Sequence, residues 1–308
     1  MNWLIIAILA YLLIALEIIL DKFLLSSKRI SHPVVYAFYS GILSAFTLVI
    51  FPFGGHSVGI INFILYAVSG MVFLYGILCL FSAINKSEAS QVAPVVGAVI
   101  PLVTYFLSLF FLKERLGLLE IMGVIFLITG GLAISLNLSV LKEKRRFFSG
   151  FYPSILAGVL IGISMTAMKR FYEVEGEFIN AFVWTRLGVT IGALSLLFFP
   201  AWRKIIRGTF LSFRQERNRS SQTGLLFIFN KVLGGFGSIL TNYAISLGAV
   251  TVVNAMVSLE FVFILVIGML LSFQFPKIFR ERYSFPILMQ KIIAIAIIAL
   301  GVVLVSIK

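Results

Sequence analysis

Four ionisable side chains stand well inside long apolar runs: Glu17, Arg186, Lys231 and Glu260. A charge held near the middle of a bilayer costs at least ~2.5 kcal/mol on insertion scales, so each is expected to face protein, a partner or water rather than lipid. Residues of this type inside apolar helices hold charged ligands or carry protons. Glu17 shares a helical face with Asp21, one turn on, and both carboxyls are proton-carrier candidates. Asp21 and Lys22 fall at the end of their run, at headgroup level. Arg186 lies too deep for its side chain to snorkel with ease, and Glu260 is its expected counter-ion, in a pair that is either purely structural or opens to hold a zwitterionic or anionic substrate. Lys231 follows Asn230 and precedes the GGFG stretch at 234–237, where missing side chains leave room for a ligand group or equally serve close helix packing. Asn254 and Ser258, one turn apart, are candidates to line the same cavity. Trp184, Tyr105 and Tyr243 are weaker, aromatic candidates, since membrane aromatics more often face lipid or the interface.

The elements that must position these groups are membrane helices. Hydrophobic residues make up 60% of the 308 and charged ones 12%, with mean hydropathy +1.09, which excludes a soluble globular protein. Ten runs are long enough to cross a bilayer: 3–24, 33–53, 58–83, 89–112, 116–136, 151–168, 178–199, 224–247, 250–273 and 287–307. The first lacks a basic leader and reads as a span, not a signal peptide. Most connections are short, so consecutive spans are antiparallel neighbours. The net charge of +13 sits in connections between spans, which points to topology and lipid headgroups and away from nucleic acid. The single cysteine, Cys79, rules out an intrachain disulfide.

The fourth run is irregular by composition. Pro94 and Pro101 lie two turns apart on one side of a helix and deprive the carbonyls of Ser90 and Gly97 of their donors. Ala89, Ala93 and Gly97 form a small-residue series that admits a close neighbour. Together these residues predict a kinked, tightly packed helix beside a cavity, with Pro94, Gly97 and Pro101 as helix-break and gate candidates. The same residues fit a kink that serves bundle shape alone.

The halves of the chain echo one another. The stretch 82–101 is matched by 243–262, and 120–135 by 290–306. An odd number of spans per repeat makes the halves enter the membrane from opposite sides, so the expected fold is all-α, with ten transmembrane helices in two inverted five-helix repeats. These are expected at 1–136 and 150–308, with a basic linker at 137–149 that carries KEKRR at 142–146. A second basic stretch, 201–223, reads as a solvated loop, and 272–288 as an interfacial piece. Lys86 and Glu88 read as solvating the turn before the fourth span, and Glu173, Glu175 and Glu177 as an acidic loop.

The arrangement resembles the EamA-type members of the drug/metabolite transporter superfamily. The residues that carry the resemblance in the first repeat are Ala83, Ala89, Pro94, Pro101, LKER at 112–115, Gly123, Gly130 and Gly131. It implies a transporter of small metabolites, amino acids, nucleotide sugars or drugs. The second repeat departs from the pattern with LEF at 259–261, which keeps Glu260 but lacks the usual following proline.

The expected function is therefore a secondary active transporter, exporter or exchanger, of a small polar metabolite such as an amino acid, working by alternating access in the cell (inner) membrane. Its expected partners are that substrate, the lipid bilayer and protons as a coupling ion, with no nucleic acid and no cofactor. The alternatives are a membrane-embedded enzyme or a non-transporting scaffold. An enzyme would show clustered catalytic groups, yet His32 and His56 lie in different loops without metal spacing, and no Gly-x-Ser-x-Gly, HExxH or P-loop pattern occurs, so neither catalytic nor metal-ligating residues are assigned. Of the 25 lysines and arginines, most flank the connections after the first, third, fifth, seventh and ninth spans. The positive-inside rule puts those connections in the cytoplasm and both termini outside, whereas the resemblance implies cytoplasmic termini.

Overall fold

The computed structural model describes residues 2–25, 32–87, 89–135, 148–215, 221–274 and 285–307. The basic run 142–146, Glu88, Arg217, Arg219, the interfacial piece 275–284 and the side chains of Asp21 and Lys22 lie outside that description. The long helices are α1 (Asn2–Leu25), α2 (Pro33–Leu43), α3 (Ile60–Lys86), α4 (Ala89–Leu107), α5 (Leu118–Ser135), α6 (Phe151–Glu175) and α7 (Phe178–Ser195), followed by α8 (Pro200–Gln215), α9 (Ser221–Leu247), α10 (Val250–Ala255), α11 (Val257–Gln274) and α12 (Phe285–Ser306). All regular structure among the described residues is helical. Among the described residues eight stretches are long and apolar enough to cross a bilayer, with Leu118–Ile134 a shorter apolar helix beside them. The protein is a polytopic membrane protein.

Local chemistry sets several boundaries. His32 caps α2, its Nδ1 accepting from the Val34 amide at 3.3 Å, and Pro33 fills the first helical position, where no amide is needed. A 3₁₀ segment, Ser44–Phe53, continues α2 past its end. Gly176 stops α6 at φ 70°, with its amide bonded to the Tyr172 carbonyl. Lys113, at φ 55°, ends a π-helical turn, Ser108–Leu112, that extends α4.

The fourth run is one helix, α4, through both prolines, and an interruption falls in the ninth span, at Met256 between α10 and α11. There the Met256 amide reaches the Val252 and Val253 carbonyls, both at 3.2 Å, so the ladder tightens locally and leaves that amide satisfied. One expectation about a connection is corrected: the basic stretch after α7 is not a loop over its first part. It is α8, an amphipathic helix that buries Ile206 against α2 and α7 and exposes Arg203, Lys204 and Arg207.

The helices pack across the halves of the chain. α1 runs along α9, α5 along α12, α3 along α6 and α7, and α4 along α6. In lipid such contacts come from close approach rather than from water expulsion. The crossing of α3 and α7 is backbone on backbone: a Cβ at Gly70 would stand 2.3 Å from the Thr185 carbonyl oxygen. Ser69 and Ser164 add hydroxyl bonds between α3 and α6, the Ser164 hydroxyl donating to the Ser69 carbonyl at 2.9 Å.

Candidate functional site

All four intramembrane charges line one cavity of about 1660 Å³. Its walls come from the C-terminal halves of α1 and α3, the length of α2 and the 3₁₀ segment after it, the middle of α9, Phe182 to Val189 of α7, and α11, with Ala93, Ile134 and Lys291 added from α4, α5 and α12. In sequence, α1, α5, α7 and α11 lead at their C-terminal ends into the connections that carry most of the basic residues. The lining is mainly apolar, so the few polar groups define what it can hold.

The charges pair differently from the sequence expectation. Lys231 Nζ, on α9, donates to Glu17 Oε1, on α1, at 2.9 Å and to the Tyr36 hydroxyl, on α2, at 3.1 Å. Gly234, one turn after Lys231, makes this possible, since a Cβ there would lie 2.1 Å from the Glu17 carboxyl carbon. The room left by that glycine is thus filled by Glu17 and not by a ligand. Arg186 does not pair with Glu260: among the described residues no ion pair joins them within 4.0 Å. The Arg186 Nη2 instead donates to Ser238 Oγ at 2.8 Å, and its guanidinium carbon lies 5.4 and 4.9 Å from the ring centres of Phe73 and Phe182. Helix azimuth decides this, because α7 turns Arg186 toward α9 while Glu260 reaches the cavity from α11.

The remaining candidates divide. Asn230 is fully buried beside Lys231 but does not line the cavity. Asn254 and Ser258 are also buried away from it, correcting their placement in the wall. Ser258 instead joins Pro94, Gly97, Gly131 and Phe261 around a narrow gap of about 10 Å³, where α4 and α5 meet α10 and α11. Pro101 is buried, and only Ala93 of the proline run lines the large cavity. Nor do Trp184, Tyr105 and Tyr243 line it. Tyr36, Phe73, Phe182, Ser238 and Lys291 are among the cavity residues that sequence reasoning missed. A polar or aromatic residue near a charged one in a span is common, so no separate signal marked them.

Two polar clusters tie helices together toward the opposite end of the bundle. In one, Asn180 Oδ1 accepts from the His56 amide at 2.9 Å and from Trp184 Nε1 at 3.1 Å, and Asn180 Nδ2 donates to Glu175 Oε2 at 3.2 Å. The Tyr66 hydroxyl donates to Glu175, and His56 stands 3.5 Å from both Glu175 and Glu177. In the other, Lys169 lies 3.6 Å from Glu173 and 3.9 Å from Glu114, and donates to the Ser246 carbonyl at 3.3 Å. Glu173 and Glu175 thus belong to the end of α6 and tie helices together, where an acidic loop was expected. Burial raises the Glu114 carboxyl above the ordinary carboxylate range, with Lys169 opposing and Glu173 adding to the rise.

The helical bundle thus holds one large cavity into which all four intramembrane charges face. Residues 1–136 match the EamA-like transporter family, in keeping with the drug/metabolite transporter superfamily. No curated protein matches. A solved structure described only as a crystal structure of protein is similar over 98% of this chain and 95% of its own, at 15% identity and TM-score 0.65, which is a likeness of fold.

Proposed function

We propose that the protein is a secondary active transporter of a small polar metabolite such as an amino acid, working by alternating access between two inverted five-helix repeats, 1–136 and 150–308. The observation that carries this reading is the charged cavity itself, read as reached from one end and sealed at the other by the His56 and Lys169 clusters. Pseudo-symmetry adds support. If α1 to α5 and α6 to α12 are repeats, the crossing of α3 with α7 is equivalent to that of α9 with α2. The first is packed backbone to backbone. The second comes together chiefly where Lys231 meets Tyr36. Exchange of those two arrangements closes one end as it opens the other.

Glu17 and Glu260 are the candidate proton carriers, one held by Lys231 and the other facing the cavity. The basic end is read as cytoplasmic, so this conformation faces the cytoplasm and both termini lie outside. The test is counterflow in proteoliposomes across a panel of labelled amino acids and other small metabolites. Exchange that saturates and is stimulated by unlabelled substrate on the far side is expected. Its absence for the whole panel refutes the reading. A pH gradient should drive flux in the native protein but not in Glu260→Gln, and a C-terminal reporter active only in the cytoplasm should stay silent.

A further inference from the structure

Arg186 is held in an unusual way for a charge inside a membrane. Its residue is 7% exposed, Nε is buried with no hydrogen-bond partner, and no carboxylate among the described residues lies within ion-pair distance. Phe73 and Phe182 stabilise the guanidinium through their rings, and Ser238 Oγ accepts a hydrogen bond from Nη2. None of these neutralises the charge. A buried cation left without an anion is strongly unfavourable, and an anion that enters the cavity offsets that cost. Arg186, Ser238, Phe73 and Phe182 all line the cavity.

The geometry points to Arg186 with Ser238 as the carboxylate subsite of the cavity, for an organic monocarboxylate whose apolar body lies along Phe73, Phe182, Val189 and Ile239. This rests on the reading of the cavity as the transport site. The guanidinium fork matches a carboxylate in two parallel bonds, and the Ser238 hydroxyl supplies a further donor. A doubly charged phosphate is less well matched, because Lys231 is already engaged by Glu17 and the wall sets the carboxylates of Glu17 and Glu260 against the further ammonium of Lys291. The mostly apolar lining favours a substrate with a hydrocarbon body over a sugar.

Three probes that share one body separate the alternatives: phenylalanine, 3-phenylpropanoate and phenethylamine. Thermal stabilisation and equilibrium binding are measured on the purified full chain, native and as Arg186→Gln, Arg186→Lys and Ser238→Ala, with flux followed in proteoliposomes. Both carboxylates are expected to bind the native protein and phenethylamine not to. Binding should weaken by about tenfold or more in Arg186→Gln, and by less in Arg186→Lys, which keeps the charge but loses the fork. Failure of both carboxylates to bind, equal binding of phenethylamine, or unchanged binding in Arg186→Gln overturns the inference. Should Arg186→Gln not fold, unchanged binding in both Arg186→Lys and Ser238→Ala overturns it. Binding that depends on Arg186 without any flux supports the subsite and refutes the transport reading instead.

Discussion

Replacing Lys231 with Met strands the Glu17 carboxylate between α1 and α9. The two charged atoms are 2.9 Å apart, and the side chains are 20% and 21% exposed. At an effective dielectric constant of ~20, that separation corresponds to roughly 6 kcal/mol of attraction before desolvation. Desolvation on forming the pair and contact with the cavity reduce the net coupling to about 1–3 kcal/mol. The assay is a double-mutant cycle, with Lys231→Met, Glu17→Gln and both together, followed by denaturant or thermal unfolding in detergent. Lys231→Met alone should be the most destabilised, because it leaves a carboxylate without its partner, and adding Glu17→Gln should restore much of the loss. A coupling below about 0.5 kcal/mol, with the single effects simply additive, refutes the claim that this pair fastens α1 to α9.

Gly234→Ala puts a methyl group 2.1 Å from the Glu17 carboxyl carbon, so the carboxylate must turn away; its stability loss should be strongly non-additive with Lys231→Met in the same unfolding assay. Gly70→Ala intrudes on the Thr185 backbone at 2.3 Å and should cost about 1–3 kcal/mol by overpacking the α3–α7 crossing, read as a lowered unfolding midpoint. The closed end should respond to pH through Glu114. Its carboxyl is raised in the folded protein, so the folded form binds the proton more tightly, and its contribution to stability is present below the ordinary carboxylate range and lost as pH rises through the raised value. Glu114→Gln should flatten that part of the stability profile, measured as unfolding midpoint against pH. Asn180→Ala removes the acceptor shared by the His56 amide and Trp184 and should raise labelling of a cysteine placed at Glu177 in a Cys79→Ser background; unchanged labelling argues against the seal.

Much of the fold was legible because bilayer thickness dictates span length: runs such as 3–24 and 60–86 announce themselves by hydropathy alone. The same physics made the first helix of the basic stretch hard to see. α8 is amphipathic and short, and its arginines dominate its composition while Trp202 and Ile206 do the packing. Pro94 and Pro101 mark the fourth span by composition and lie within one helix, whereas the change of geometry at Met256 has no composition to mark it.

The cost of a charge in hydrocarbon was enough to select Glu17, Arg186, Lys231 and Glu260 from the sequence, and all four line one cavity. Their partners were not there to be read. Lipid is as apolar as the packed interior of a membrane protein, so hydrophobic periodicity does not say which face of a helix turns inward. Depth and rotation of each helix, set by contacts such as Gly70 on the Thr185 backbone and Gly234 on Glu17, decided that Lys231 holds Glu17 across 214 positions of sequence and that Arg186 faces the cavity with Ser238, and no carboxylate of the described residues, in ion-pair or hydrogen-bond reach.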